Sequence, residues 1–464
     1  MKKIITMTLI LFVLSGSLFG CFPFSLFGEE ETESESESES ESGPESDSES
    51  ESNFESESDT ESESKYENES DTNEYLKSTW DGCIATDFQK GNGTKDSPYE
   101  ITNAQQFALL AKNVNGGVTY SGKYFSLLCD IDLNNIDWTP IGNGTNPFMG
   151  NFDGNGHIIE NLKISQSIHY TYKYPTGEAG PYCDSGLFAT IQDASIQNMI
   201  ISGATIKIFD TKSGEIHRVG VLCGTVRTYQ DATIISNIKI QNATITTDFP
   251  ASQRPQSLSV GGAIGHIYAY NNTTTTISIV ETNSNFFLGK GYGSNNYMGT
   301  ILGSSSFFDS TFNMENCVAY QTLSVSAEQY YYTFTSDYHG MIGNAQASAK
   351  PFTVKNIFSK STLNKPTLES TLPVSSAISS YAIVGVAYGS DPNIVGYEFE
   401  NVFGCVELID IQSGENKILT DLHPLPDELA FSQINCHGCE TLPEHHCFDT
   451  TIWDLSDLAN PHLK

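Results

Sequence analysis

Val219-Gly220-Val221-Leu222-Cys223-Gly224, followed by Asn237-Ile238-Lys239-Ile240, is one copy of a two-part unit that decides the fold. The glycine half returns as Val260-Gly261-Gly262-Ala263-Ile264-Gly265 and as Met298-Gly299-Thr300-Ile301-Leu302-Gly303. Shorter copies stand at His339-Gly340-Met341-Ile342-Gly343 and Val384-Gly385-Val386-Ala387-Tyr388-Gly389, and Gly186-Leu187-Phe188-Ala189 is a degenerate first copy. The Asn half recurs at Asn161-Leu162-Lys163-Ile164, Asn198-Met199-Ile200-Ile201, Asn316-Cys317-Val318-Ala319, Asn356-Ile357-Phe358-Ser359 and Asn401-Val402-Phe403-Gly404. Near Val280-Glu281-Thr282 the Asn is missing. A period of about forty residues marks stacked supersecondary units, none of which can bury its apolar face alone.

The unit is built from strands. Thr233-Ile234-Ile235-Ser236-Asn237-Ile238-Lys239-Ile240-Gln241 alternates, and a strict strand period places Ile234, Ser236, Ile238 and Ile240 on one side. Thr and Asn tracts such as Asn271-Asn272-Thr273-Thr274-Thr275-Thr276 suit strands and turns better than helix. Glycine allows positive φ at corners, and Asn tolerates the left-handed region while bonding locally. These features predict an all-β chain, a parallel β-helix with a short N-terminal capping helix. The helix is expected in Thr102-Asn103-Ala104-Gln105-Gln106-Phe107-Ala108-Leu109-Leu110-Ala111-Lys112, with Thr102 as cap and Gln105 as its reciprocal partner. Phe107, Leu110 and Ala111 form its apolar stripe.

The amino terminus points to export. Met1-Lys2-Lys3 precedes an apolar run from Ile4 to Phe19, then Gly20-Cys21. The run falls short of the roughly twenty residues of a membrane span. Leu18-Phe19-Gly20-Cys21 resembles a lipobox, so residues 1–20 are expected to be a lipoprotein signal peptide and Cys21 the lipidated residue; the alternative is an ordinary signal peptide with a stray Cys. Residues 29–75 hold 21 acidic residues and one base, Lys65, about −20 of the formal net charge of −34. Such a segment cannot bury enough apolar surface to fold, and residues 21–78 are expected to be a self-repelling spacer. This acidity argues against nucleic acid as a partner.

The folded remainder divides into an N-terminal cap with first coils (79–165), repeats (166–425) and a C-terminal Cys/His-containing cap (426–464). Cys183, Cys223, Cys317 and Cys405 sit singly in the repeats and are expected to be small buried hydrophobes, with Cys317 and Cys405 stacked at equivalent positions. Cys436, Cys439, His445 and Cys447 allow a disulfide, an inert cluster or a structural metal site. Tyr170, Tyr172 and Tyr174, with Tyr330, Tyr331 and Tyr332, form Tyr-rich insertions suited to glycan or protein binding. Asp130 and Asp132 share a strand face and could suggest Ca²⁺, but read better as part of a cap strand. Asp153-Gly154-Asn155-Gly156 reads as a type I′-like turn. There is no His-Glu-x-x-His, Gly-x-Ser-x-Gly or phosphate loop, and no cofactor is expected.

Residues 91–164 resemble the N-terminal portion of bacterial surface proteins with GLUG-type repeats. The shared string runs through Gly93-Thr94, Ser97-Pro98-Tyr99 and Ile101, then Gln106-Phe107 with Leu110-Ala111. It continues through Tyr124-Phe125, Asp130-Ile131-Asp132-Leu133, Trp138, Pro140-Ile141-Gly142 and Phe152-Asp153-Gly154-Asn155-Gly156-His157. The resemblance reaches, more weakly, to about residue 460. It implies a right-handed parallel β-helix, with adhesins and the N-terminal regions of immunoglobulin-A peptidases as relatives. The expected role is a lipid-anchored surface adhesin or ligand-binding protein without catalysis, its partners being the membrane and a host glycan or surface protein. The alternatives are a polysaccharide-degrading β-helix enzyme and a structural surface scaffold.

Overall fold

The computed structural model describes residues 77–173, 177, 179–209, 214–249, 255–289, 295–325, 336–346, 350–365, 378–380, 384–388, 397–410, 416–419, 449–457 and 460–464. Within the unit Thr72–Lys464 the chain is a parallel β-solenoid of two large sheets. The first sheet stacks Ser195–Ser202, Thr233–Thr247, Thr274–Leu288, Thr311–Val325, Phe352–Lys365 and Tyr397–Asp410 in order. The second stacks the glycine halves.

In-register parallel pairing turns the repeat into ladders. One row runs Phe125, Phe152, Ile196, Ile235, Ile277, Met314, Val354. A second runs Met199, Ile238, Val280, Cys317, Ile357, Val402, and a third Ile164, Ile206, Ile245, Phe286, Leu323, Leu363. All of these side chains are buried. Facing them, the second sheet supplies Phe188, Cys223, Ile264, Leu302 and Ile342. Rungs roughly 4.8 Å apart keep like side chains in continuous contact, so each coil completes the core of the next.

The Asn half does more than begin a strand. Asn198, Asn237, Asn316 and Asn356 all hold φ between 52° and 58° and lie on one line through the sheet. Each left-handed residue breaks the alternation, so the strand changes phase there. The expected single face of Ile234, Ser236, Ile238 and Ile240 is therefore wrong. Ile234 is 41 % exposed and Ser236 also lies outward, while Ile238 and Ile240 are buried. Side-chain amides bond along the line, Asn237 Nδ2 donating to Asn198 Oδ1 at 2.8 Å and Asn356 Nδ2 to Asn316 Oδ1 at 3.1 Å.

The repeat glycines serve close approach. Gly220, Gly261 and Gly299 are not in the positive-φ region. A Cβ on Gly261 would lie 1.9 Å from the Ile264 carbonyl oxygen, and one on Gly299 1.8 Å from that of Leu302. No side chain fits where the backbone doubles back on itself.

The helix Ala104–Asn115 packs on the first coils through Phe107, stacked on Trp138 at 5.1 Å and edge-on to Phe152. Its cap lies one residue later than expected. Asn103 Oδ1 accepts from the Gln106 amide, and Gln106 reaches back to the Thr102 amide. Asn155 and Gly156 both have positive φ and His157 donates to the Gly154 carbonyl, which is a type I′ turn. Cys183, Cys223 and Cys317 are buried thiols, and burial pushes Cys317 up to about 12. Cys405 does not stack on Cys317: it is in register with Lys360 and Tyr320, whereas Cys317 is in register with Ile357 and Val402.

A strap of residues 449–457 and 460–464 lies on the outer side of the first sheet. Its Trp453 and Leu463 form an apolar cluster with Val318 and Phe358, against which Ile279 and Tyr320 pack. Glu281 accepts from the Leu463 amide at 2.9 Å and contacts His462 and Lys239, and Tyr320 donates to the Pro461 carbonyl.

Candidate functional site

The hairpin Ile168–Lys173 and Ala179–Ser185 is antiparallel, and its second strand joins the second sheet beside Ile216–Gly220. Tyr170 and Tyr172 are half-buried against that sheet. Tyr170 donates to Asp184 at 2.6 Å, and the Arg227 guanidinium lies 3.8 Å from the Tyr172 ring centroid. Gly144 leaves room beneath the Tyr170 ring, where a Cβ would come within 1.9 Å, and its carbonyl accepts from Arg227 at 2.7 Å.

Under this hairpin lies a buried layer of charge and aromatic rings. Asp184, Arg218 and Arg227 are buried, and Asp184 is the register partner of Arg218. Arg218 sits between Tyr182, at 4.1 Å, and Tyr268, at 5.0 Å. Burial pushes the Asp184 carboxyl up, against the opposing pull of Arg218, the Tyr170 hydroxyl and Arg227. Burial, with Arg218 nearby, holds His266 well below its ordinary value. Two buried guanidiniums need their aromatic faces and acceptors. The layer is closed to a polymeric substrate because Tyr170 and Tyr172 roof it.

An open face lies on the first sheet. Thr205, Thr244, Asn285, Thr322 and Thr362 form an in-register row of five uncharged residues, bounded by Lys163 at one end and Glu407 at the other. Phe287 stands beside this row, 46 % exposed, with Thr246 and Ser324 as register partners. An exposed aromatic ring framed by hydroxyls and an amide offers both stacking and hydrogen bonding. The signal was in the sequence: in Phe286-Phe287-Leu288, strand alternation buries Phe286 and Leu288 and must expose Phe287.

Of the residues expected to act, Tyr170 and Tyr172 come together over Asp184 and Arg227. Cys21, Tyr174, Tyr330, Tyr331, Tyr332, Cys436, Cys439, His445 and Cys447 lie outside the described residues. Asp130 bonds to His157 and to the Ile158 amide, and Asp132 to Lys77, Asn134 and Asn161, as befits cap strands. Among the described residues, no helix is long and apolar enough to cross a membrane.

No family model matches the chain. It is 29 % identical over 199 residues to halomucin of Haloquadratum walsbyi, covering 41 % of this chain and 2 % of that protein. It is 29 % identical over 161 residues to a "putative Gly-rich membrane protein" of Evansella cellulosilytica, covering 33 % and 16 %. The chain thus spans a small part of the length of these relatives. Among solved structures, a "putative immunoglobulin A1 protease" from Bacteroides ovatus covers 82 % of this chain and 98 % of its own, at 17 % identity and TM-score 0.37. An IgA1 protease covers 71 % and 25 %, at 14 % identity and TM-score 0.30.

Proposed function

We propose that this chain is a lipid-anchored surface protein that binds a ligand without transforming it, the β-solenoid presenting the outer face of the first sheet. The observation that carries this reading is Phe287, exposed beside the uncharged row of Thr244, Asn285 and Thr322. That chemistry suits a neutral glycan, whose C–H faces stack on an aromatic ring while its hydroxyls meet Thr and Asn. It also suits a polar protein surface.

Location is part of the same proposal. Cys21 holds the chain to the membrane, the acidic segment 29–75 lifts the solenoid away from it, and the GLUG-type resemblance supports a surface setting. One relative is named a membrane protein, which agrees with this placement.

The test is a screen of the full chain against arrays of neutral glycans and host surface proteins, with product analysis of each hit. An intact ligand whose binding falls at least tenfold in Phe287→Ala is the expected result. A ligand that is cleaved would replace this reading with an enzymatic one. Binding unaffected by Phe287→Ala would remove this face from the proposal.

A further inference from the structure

Four residues remote in sequence meet where the hairpin joins the second sheet. His169 and Cys183 are direct cross-strand partners in the hairpin, and Cys183 is in turn the register partner of His217. Glu215 stands just before the His217 strand. Ligand atoms of His169, Cys183 and Glu215 all lie within 4.8 Å of one another. His217 Nε2 is 3.8 Å from a Glu215 carboxylate oxygen.

We propose that His169, Cys183, Glu215 and His217 form a divalent transition-metal site, of which Zn²⁺ is the natural occupant. The donor set is two imidazoles, a thiolate and a carboxylate, which matches tetrahedral zinc. Ligand atoms around such an ion lie roughly 3.4–3.6 Å apart. His169, Cys183 and Glu215 already gather near that spacing, and His217, now 3.8 Å from the Glu215 carboxylate, would turn in as the fourth ligand. His169 Nδ1 now lies 3.0 and 3.1 Å from the two Glu215 oxygens, so an ion would take the place of that hydrogen bond. The Cys183 thiol loses its proton to solvent as the sulfur–metal bond forms.

Burial favours this reading over two others. Glu215 is 1 % exposed, and a carboxylate and a thiolate gathered out of water are costly as anions unless a cation sits between them. A cation of charge two satisfies carboxylate and thiolate together. A nucleophilic role for Cys183 beside His169 and Glu215 fails on access, because Cys183 has no exposed surface for a substrate carbonyl to reach. His169, with its side chain 22 % exposed, is the side from which a small ion enters.

An ion here would fasten the hairpin to the second sheet and hold Tyr170 and Tyr172 over the buried arginines. The reading stands apart from the Phe287 face and does not depend on it.

The test is titration of the full chain, reduced and anaerobic, with Co²⁺ as a spectroscopic probe and Zn²⁺ as competitor. The expected result is a sulfur-to-cobalt charge-transfer band with tetrahedral visible bands, displaced by Zn²⁺. This signal should persist in a Cys436→Ser, Cys439→Ser double variant and vanish in Cys183→Ser. His169→Ala, on the more exposed ligand, should weaken affinity beyond the roughly 10–100-fold typical of changes outside the ligand shell, and it serves if Cys183→Ser does not fold. No thiolate band, or a band that survives Cys183→Ser or is unmoved in affinity by His169→Ala, would overturn the proposal.

Discussion

Ile279 occupies the position on the Asn line that Asn237 fills one coil earlier, with φ of 55° against 53°. A β-branched residue is held there in the conformation its neighbours use Asn to reach. Its side chain packs with the strap cluster of Val318, Phe358, Trp453 and Leu463. The one break in the Asn series therefore coincides with the place where the strap docks, and apolar contact there offsets the backbone cost.

That cost is measurable elsewhere on the line, where no strap compensates. Asn237→Ile should destabilise the protein by about 1–3 kcal/mol, read as a lowered thermal midpoint. Asn237→Gly should cost less, since it keeps the free φ and loses only the bond to Asn198. Equal effects for the two variants would show that the left-handed position carries no strain.

His266 gives a pH dependence. It is buried, with its folded value depressed well below the unfolded one near 6.5. The folded protein therefore binds fewer protons than the unfolded chain in acid. The stability is present above about pH 6.5 and is lost as pH falls below it, by up to about 1.4 kcal/mol per unit. Asp184, with its folded value raised, works in the opposite direction from an unfolded value near 3.9 upward. The difference between wild type and His266→Gln isolates the histidine, and a slope between pH 6.5 and 5 unchanged by that substitution would contradict the assignment.

Trp453 anchors the strap. Trp453→Ala should remove about 3–5 kcal/mol of docking, leaving residues 449–464 open to protease while the coils stay folded. Glu281→Gln should loosen the same segment more mildly, since an amide oxygen still accepts from Leu463. Hydrogen exchange at the Leu463 amide checks both, and protection that survives Trp453→Ala would place the anchor elsewhere.

Cys21→Ala should release the protein from the membrane fraction and abolish lipid labelling. Retention in the detergent phase with unchanged acylation would exclude Cys21 as the anchor.

How far the structure was legible depended on range. The coils, the helix and the I′ turn at Asn155-Gly156 follow from local chemistry that repeats or sits in one short string. The phase change at Asn237 escapes strict alternation, because the left-handed preference of Asn cancels the strand period there. The glycines mark the corners, yet what they supply is not rotational freedom but the missing Cβ, as where Gly261 meets Ile264. Phe287 was readable from two adjacent Phe in one strand. The His169, Cys183, Glu215 and His217 cluster was not, because only the pairing register brings those positions together. The strap was equally hidden, since nothing near Glu281 announces Leu463, 182 positions away in the chain.

The strap also changes how the solenoid would answer to load. Stacked coils joined only to their neighbours can peel away one at a time from a free end. By docking on the coils of Glu281, Val318 and Phe358, the strap ties a segment remote in sequence to the middle of the stack. A pull along the coils would then meet a latch before it met a zipper, and the latch must open before the coils beneath it can peel.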